Sequence, residues 1–318
     1  MISGFFSSHK RNENNTSNND LKAINQTLDI SIIISCRNEV NTLKKTVDSI
    51  LNSKNSFSFE IIIVDDGSDD GSCNFINTTN DYYKNIKLIF SENIGIAAAR
   101  NLGAQSSKAK YLFFCDAHIS VPDYWLDSMI KTLEGNNGHA IIPAIKNMEN
   151  EDRGYGGTWN NNLEFIWLAK PEGTCGEIPL APGCVLGIKK DVFETIGGFD
   201  NHLKLYGVED QEISLKLWLF GYRILIDTSI EINHLFKVND SYKIAYSDLI
   251  HNYLCLAYLH FNNDNLVKIL ELFKTKSGFN IAFTNLILNE DLLKQRKEYF
   301  EKRKFDESYF FKKFNIPF

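Results

Sequence analysis

Residues 60–68 read EIIIVDDGS, an apolar run that ends in two acids, a glycine and a serine. A similar run, SIIISC, occupies residues 31–36, and KLIF (87–90) and YLFFCD (111–116) follow further along the chain. Each run is strand-length and strongly apolar, which is typical of parallel strands covered on both faces. The stretches between them have helical character, as in GIAAARNLGA (95–104). Alternating strands and helices predict an α/β fold with a mostly parallel, doubly wound sheet.

The composition of the chain excludes several classes of protein. Of its 318 residues, 43% are hydrophobic and 13% aromatic, the balance of an ordinary globular protein. Acids number 40 against 34 Lys and Arg, and this net charge of −6 argues against a nucleic-acid partner. The six cysteines include no CxxC pair, so the usual zinc and redox spacings are missing.

The expected location of the protein follows from the same composition. No apolar run approaches the roughly 18 residues that span a bilayer, and no apolar signal-peptide core follows the N-terminus. We therefore expect a soluble, cytoplasmic protein with reduced cysteines. The abundance of Asn, Ile and Lys predicts an AT-rich bacterial genome.

We divide the chain into three parts. Residues 1–28 are polar and Asn-rich and predict a flexible leader. Residues 29–240 contain the alternating pattern and predict the α/β domain. Residues 241–318 are rich in aromatic residues, and their apolar residues recur at helical spacing. This pattern predicts a helical C-terminal extension.

Finer elements of the central part are also predicted. The Gly-, Pro- and Asn-rich stretch 143–187 is expected to carry long loops. A short helix is expected over 191–196 with Asp191 as its N-cap. Two short strands are expected, ILID (224–227) and SIEI (229–232).

Polar side chains stand where predicted strands end, and ligands of open α/β sheets bind at the carboxyl ends of strands. Ser35, Arg37 and Glu39 lie around the end of the first strand, and Asp65 and Asp66 end the second. Two acids before Gly-Ser provide the acceptors that a nucleotide base and ribose need. The alternative is a simple Asx turn that leads into a helix.

A second polar group ends the strand YLFFCD. Residues i and i+2 of an extended chain point the same way, so Asp116 and His118 can converge on one divalent ion. An oxygen ligand with one nitrogen ligand is better suited to Mn²⁺ or Mg²⁺ than to a thiolate-type zinc site. The alternative is a hydrogen-bonded surface pair. His234 follows a strand-like run and is either a third ligand or a core histidine.

Glu209 and Asp210 stand where a helix is expected to begin. One interpretation is an acidic first turn that complements the helix dipole. The other is a general base at the mouth of a cleft.

The order of these motifs is more specific than any one of them. From Ser31 to Lys237 the chain resembles nucleotide-sugar-dependent glycosyltransferases of the GT-A fold. It resembles family 2 broadly, and in detail the catalytic domain of polypeptide N-acetylgalactosaminyltransferases. The resemblance rests on SIIISCRNE (31–39), EIIIVDDGS (60–68), ENIGIAAARNLGA (92–104), FFCDAH (113–118), GGTWNNNLEF (156–165), LAPGCVLGIKKDVFETIGGFD (180–200), YGVEDQE (206–212) and NHLFK (233–237).

The resemblance implies a metal-dependent transfer of sugar from a UDP-sugar to a peptide or cell-surface glycan. It implies that Asp116, His118 and His234 hold Mn²⁺ or Mg²⁺ on the donor diphosphate, and that Glu209 and Asp210 face the sugar and acceptor. It implies a nucleotide-sugar pocket formed by Ser35, Arg37, Glu39, Asp65, Asp66, Gly95, Arg100, Asp116 and Gly183.

Three positions depart from the peptide-modifying enzymes. Those enzymes carry Trp where this chain has Tyr206, Gly where it has Val208, and typically Asn where it has Asp210. An acid at the last position is the base of inverting relatives. The resemblance therefore implies inversion, with Asp210 as the base beside Glu209.

The sequence leaves other functions to consider besides sugar transfer. A catalytically silent nucleotide-sugar-binding or scaffold protein is the main alternative. A nucleotidyltransferase or a dinucleotide-dependent oxidoreductase is disfavoured, because no glycine-rich loop follows a strand. Residues 241–318 are expected to bind a peptide acceptor, to contact the inner face of the membrane, to self-associate, or only to cap the sheet.

Overall fold

The computed structural model describes residues 28–77, 81–84, 86–237, 242 and 244–318. The predicted leader, residues 1–28, therefore lies outside the described residues apart from its last position.

The strands and helices alternate as the sequence predicts. The strands are β1 (Ile30–Cys36), β2 (Phe59–Asp66), β3 (Ile86–Ser91), β4 (Tyr111–Cys115), β5 (Ile119–Ser120), β6 (Ala140–Asn147), β7 (Arg153–Gly154), β8 (Gly157–Trp159), β9 (Phe165–Trp167), β10 (Cys175–Glu177), β11 (Val185–Lys189) and β12 (Ile224–His234). The helices are α1 (Leu43–Asn52), α2 (Ile96–Gln105), α3 (Trp125–Gly135), α4 (Lys190–Thr195), α5 (Glu209–Leu219), α6 (Tyr246–His260), α7 (Asn263–Phe273), α8 (Phe279–Ile287), α9 (Glu290–Lys302) and α10 (Glu307–Lys313).

The main sheet is mixed, with a parallel N-terminal half. Its strand order is β10-β12-β6-β11-β4-β1-β2-β3. Strands β4, β1, β2 and β3 are parallel neighbours, and β12 runs parallel to β6. Strand β11 is antiparallel to both β4 and β6, and β10 is antiparallel to β12. The predicted α/β class is confirmed.

Two finer predictions need correction. The expected strands at 224–227 and 229–232 are one strand, β12, whose register shifts between Asp227 and Glu231. The buried Asp227 carboxylate accepts hydrogen bonds from Ser128 and Thr132 of α3, and these contacts fix the irregular point inside a continuous strand.

The N-cap of α4 and the loops of 143–187 also differ from the expectation. Lys189 is the N-cap of α4, while Asp191 lies inside its first turn. Short strands interrupt the expected loops, and β8 and β9 pair as a separate ribbon.

The C-terminal helices share the core of the α/β domain. Phe310 and Phe311 of α10 contact Trp159 of β8, with ring centroids 5.8 and 6.5 Å away. Trp218 of α5 packs against Phe314, with ring centroids 4.9 Å apart. The extension therefore covers α5. None of the described helices is long and apolar enough to cross a membrane.

The parallel strands bring the predicted polar residues to one edge of the sheet. Cys36 at the end of β1 lies beside Asp65 of β2, and Ile34 lies beside Cys115 at the end of β4. The residues that follow these strand ends are therefore neighbours, although up to about 80 positions separate them in the chain.

Candidate active site

A cleft lies over the carboxyl ends of β1 and β4 and the end of β12. One part of the cleft is lined by Ser35, Arg37, Glu39, Ile96, Asp116, Ala117, His118, Tyr206, His234, Phe236, Lys237 and Tyr242. A second part shares Ile96, Asp116, Tyr206, His234 and Phe236, and adds Arg100, Phe165, Trp167, Pro182, Gly183, Cys184, Glu209, Asp210 and Gln211. The predicted metal and acid groups therefore border one continuous cleft.

Asp116, His118 and His234 form a compact cluster of possible metal ligands. The Asp116 Oδ2 atom lies 3.1 Å from His234 Nε2 and 3.8 Å from His118 Nε2. Neighbouring ligands of an octahedral ion with bonds near 2.1 Å are about 3 Å apart. One carboxylate oxygen and two imidazole nitrogens, all within 4.8 Å of one another, could together hold one divalent ion. The cluster is half-buried, which leaves one side open to a ligand.

Glu39 contacts the His118 ring of this cluster. Its Oε1 atom lies 3.4 Å from His118 Nδ1, so Nε2 is the nitrogen that faces Asp116. Lys237 contacts the same carboxylate. Burial raises the pKa of Glu39, but hydrogen bonds with His118 and Lys237 outweigh it and lower the pKa to about 2. The ionised carboxylate orients the His118 ring, as an outer partner of a metal ligand does.

Arg100 joins the cluster of Asp116, His118 and His234 to the acid pair of Glu209 and Asp210. It is only 1% exposed. Its Nη2 lies 3.1 Å from Asp116 Oδ1 and 2.7 Å from the Gly183 carbonyl oxygen, and its Nη1 lies 3.2 Å from Glu209 Oε1. Arg100 thus holds one oxygen of Asp116, and the other oxygen is left facing the two histidines. Burial raises the pKa of Asp116, but the His234 contact and the charges of His118 and Arg100 hold it below its ordinary value.

The acid pair begins α5. The Glu209 Oε2 atom accepts a hydrogen bond from the Gly207 N–H at 3.0 Å, so this side chain is held inward. Asp210 accepts the Gly183 N–H at 3.2 Å and the Gln211 N–H at 2.8 Å, and it borders the cleft. Burial raises the pKa of Asp210 despite the nearby Arg100. A raised pKa brings a carboxylate closer to that of a useful base.

The pKa of Glu209 leads to a pH-dependent prediction. Burial and the neighbouring Asp210 charge raise it from 4.5 to about 7. The folded state therefore binds the Glu209 proton more tightly than the unfolded state does. The protonated side chain stabilises the fold fully below pH 4.5, and this contribution to the free energy of unfolding is lost as the pH rises through 7. We expect Glu209→Gln to match the wild type in urea unfolding at pH 5 and to be more stable at pH 8, by about 1–3 kcal/mol. Glu290→Gln, at the exposed start of α9, is the control, and an equal change for Glu209→Gln at both pH values would contradict the assignment.

Asp66 does not line the cleft itself but contacts Tyr242, which does. Its carboxylate is fully buried and accepts hydrogen bonds from Ser91 Oγ, the N–H groups of Ile94 and Gly95, and Tyr242 OH, at 2.7–2.9 Å. These partners occupy both carboxylate oxygens of Asp66, so this side chain stabilises the loop before α2. Asp65 is also buried and accepts the Ser68 N–H at 2.9 Å, which is the Asx-turn alternative.

The glycines of the predicted pocket have distinct structural places. Gly95 has φ +90°, and a Cβ there would lie 2.7 Å from the Leu205 backbone. The residue therefore permits close contact between the start of α2 and the loop before α5. The Gly183 N–H donates a hydrogen bond to Asp210, and the Gly183 carbonyl oxygen accepts one from Arg100.

Several cleft residues were not predicted as site residues. Phe236 and Lys237 follow His234 by two and three positions, so the NHLFK motif carried a usable signal. Trp167 and Tyr242 had no such signal. Tyr242 is stacked on Tyr206 with ring centroids 5.9 Å apart, and tertiary folding brings it from the C-terminal part of the chain.

Comparison with known proteins identifies the family. Residues 31–197, more than half of the chain, match the model described as Glycosyl transferase family 2. The chain belongs to glycosyl transferase family 2. Residues 177–239 also match the N-terminal domain of galactosyltransferase. The family predicted from the motifs is confirmed.

The curated relatives that the chain matches include polypeptide N-acetylgalactosaminyltransferases. The chain is 29% identical over 241 residues to polypeptide N-acetylgalactosaminyltransferase 8 of Drosophila melanogaster, covering 69% of this chain and 40% of that protein. It is also 29% identical over 233 residues to polypeptide N-acetylgalactosaminyltransferase 13 of Homo sapiens. This match covers 65% of this chain and 41% of that protein. This family 2 chain thus spans about two fifths of the length of these relatives.

Solved structures share the fold of this family 2 chain. GalNAc-T7, crystallised with UDP, GalNAc and Mn²⁺, superposes with a TM-score of 0.75 at 18% identity, over 91% of this chain and 57% of that one. S. aureus TarS 1–349, in complex with UDP-GlcNAc, superposes with a TM-score of 0.58 at 15% identity, over 86% and 79%. These matches confirm the predicted GT-A fold.

Proposed function

We propose that this chain is a metal-dependent glycosyltransferase that takes its sugar from a UDP-sugar. The observation that carries the proposal is the cluster of Asp116, His118 and His234 in one cleft with the acid pair of α5. Membership of family 2 and a structural neighbour crystallised with UDP and Mn²⁺ support the same donor chemistry.

The cluster would hold the ion against the donor diphosphate. A bound divalent ion supplies Lewis-acid stabilisation for the negative charge that grows on the leaving nucleoside diphosphate. Arg37 and Lys237 add positive side chains to the same part of the cleft. Glu39 orients His118, and Arg100 orients Asp116, so the ligand set is arranged before the donor arrives.

Asp210 is the proposed base, and the reaction is proposed to invert the anomeric centre. It removes the proton of the acceptor nucleophile as that atom attacks the face opposite the leaving diphosphate. Its place beside Gly183, in the part of the cleft that contains Asp116 but not Arg37 or Lys237, supports this assignment. The neighbouring Glu209 also borders this part of the cleft, where the Arg100 guanidinium and the Gly207 N–H hold its carboxylate in place.

The acceptor is proposed to be a peptide or a glycan that lies against an aromatic wall. Trp167 and Phe236 are 38% and 37% exposed, and their ring centroids are 5.9 Å apart. Phe165 extends this wall toward the acid pair. Exposed aromatic rings at the mouth of a cleft offer apolar faces to a peptide side chain or a sugar ring.

Release of UDP tests the proposal. Purified protein is incubated with UDP-GalNAc and with UDP-GlcNAc, with Mn²⁺ or with a chelator, and UDP is measured. Metal-dependent release from one donor, even without acceptor, is the expected result. No release from either donor, in protein that still binds UDP, would favour the silent nucleotide-sugar-binding alternative.

A further inference from the structure

A fully buried asparagine of the C-terminal extension is bound to the backbone of the loop that precedes α5. We propose that Asn252 of α6 is the positioning residue that holds residues 204–208, and with them the acid pair, in the active-site conformation. The inference rests on the glycosyltransferase function proposed above. It makes the C-terminal helices part of the catalytic unit.

Among the described residues, the four hydrogen bonds given for the Asn252 side chain all go to this loop. Its Oδ1 accepts the Lys204 N–H at 2.7 Å. Its Nδ2 lies 2.8, 3.2 and 2.9 Å from the carbonyl oxygens of Lys204, Tyr206 and Gly207, so two N–H groups serve three acceptors. A side chain that donates to and accepts from one backbone segment fixes the position of that segment.

The loop needs such support because its backbone is strained. Leu205, Gly207 and Val208 all have positive φ, at +25°, +93° and +75°. Left-handed conformations of Leu and of the β-branched Val are costly and persist where the surrounding structure enforces them. Strain of this kind is concentrated at functional sites.

What the loop carries links it to the chemistry. Tyr206 borders both parts of the cleft. The Gly207 N–H holds Glu209, and the Leu205 carbonyl oxygen accepts the Ile96 N–H at 2.8 Å, which joins the loop to the start of α2. A displacement at residues 204–208 would therefore move Tyr206 and the first turn of α5 together.

Other contacts of α6 with the loop are weaker supports. Lys204 Nζ lies 3.2 Å from Asp248 Oδ1, but both side chains are partly exposed. Leu249 packs near Gly207. Asn252, at 0% exposure, is shielded from the water that would otherwise replace its hydrogen bonds.

The test compares two buried asparagines of the extension. Asn252→Ala removes the loop contacts. Asn265→Ala is the matched control, because Asn265 of α7 donates to Glu307 of α10 and has no part in the cleft. Asn252→Asp is a second, isosteric variant that keeps the acceptor for the Lys204 N–H, in case the alanine variant fails to fold. Hydrogen exchange, melting temperature, UDP binding with Mn²⁺ and turnover are measured for each variant.

The two variants are expected to separate on exchange and turnover. Asn252→Ala should speed the exchange of amides in 204–208 by roughly 10-fold or more. It should also lower turnover about 10- to 100-fold with a smaller effect on UDP affinity, because Tyr206 is the one residue of the loop among those that line the part of the cleft with Arg37 and Lys237. Asn265→Ala should lower the melting temperature and leave loop exchange and turnover near wild type.

Two outcomes would overturn the inference. One is wild-type exchange in 204–208 for the Asn252 variants. The other is an equal loss of turnover in Asn252→Ala and Asn265→Ala at equal losses of melting temperature. Because the exchange measurement needs no substrate, it distinguishes a failure of this inference from a failure of the proposed glycosyltransferase function.

Discussion

Replacing Arg100 by Met is expected to lower the free energy of unfolding by about 3–5 kcal/mol, the typical cost of breaking a buried ion pair from one side. Arg100 is 1% exposed and is the cation that lies against both Asp116 and Glu209. Methionine fills much of the volume but leaves these carboxylates without their counter-charge. The loss of stability should be largest above pH 7, where Glu209 is ionised.

Urea unfolding measures this effect, with Arg153→Gln as the matched control. Arg153 pairs with Glu231 at 2.6 Å, but both side chains are about one-third exposed. Exposed pairs contribute roughly 0–1 kcal/mol, so the control should be nearly neutral. Similar losses in the two variants would mean that Arg100 does not organise the buried acids as described.

Replacing Asp210 by Asn is expected to lower transfer about 100- to 10,000-fold, the typical contribution of a positioned base. The amide has the same shape, although its single oxygen replaces the two carboxylate oxygens that accept the Gly183 and Gln211 N–H groups. It cannot take a proton from the acceptor. Binding of UDP with Mn²⁺ should survive, because Asp116, His118 and His234 are unchanged.

Asp291→Asn is the matched control for this experiment. Asp291 is also the second residue of a helix that begins Glu-Asp, but that helix is α9 and the residue is exposed. Transfer in the control should equal that of the wild type. If Asp210→Asn retains near-wild-type turnover, Asp210 is not the base and the inverting assignment fails with it.

The framework of the fold was predictable because the strands are apolar on both faces. Runs such as SIIISC and EIIIVDD can be buried only inside a sheet covered by helices, so β1 and β2 were found within one residue of their bounds. The C-terminal half of the sheet was harder. The position of β11, between β4 and β6 and antiparallel to both, depends on tertiary pairing that no local pattern encodes.

The convergence of Asp116, His118 and His234 was predictable for a similar reason. Asp116 and His118 follow a buried strand at a spacing of two, and His234 ends another strand of the same sheet. The place of Asp66 was not predictable, because acids that face a ligand and acids that hold a loop look the same in EIIIVDDGS. Its four hydrogen-bond partners come from residues 91–95 and from Tyr242. Asn252 likewise sits in an ordinary helical pattern, and its contacts appear only in the folded chain.

Thermal unfolding with UDP and Mn²⁺, in the wild type and in His118→Ala, tests the central claim most directly. A ligand at about 100 times its Kd adds about 2.7 kcal/mol to the apparent stability. The account predicts that UDP raises the melting temperature of the wild type with Mn²⁺ present and much less without it, and that His118→Ala abolishes the metal-dependent part. No shift in the wild type, or an undiminished metal-dependent shift in His118→Ala, would contradict the proposed metal–diphosphate site.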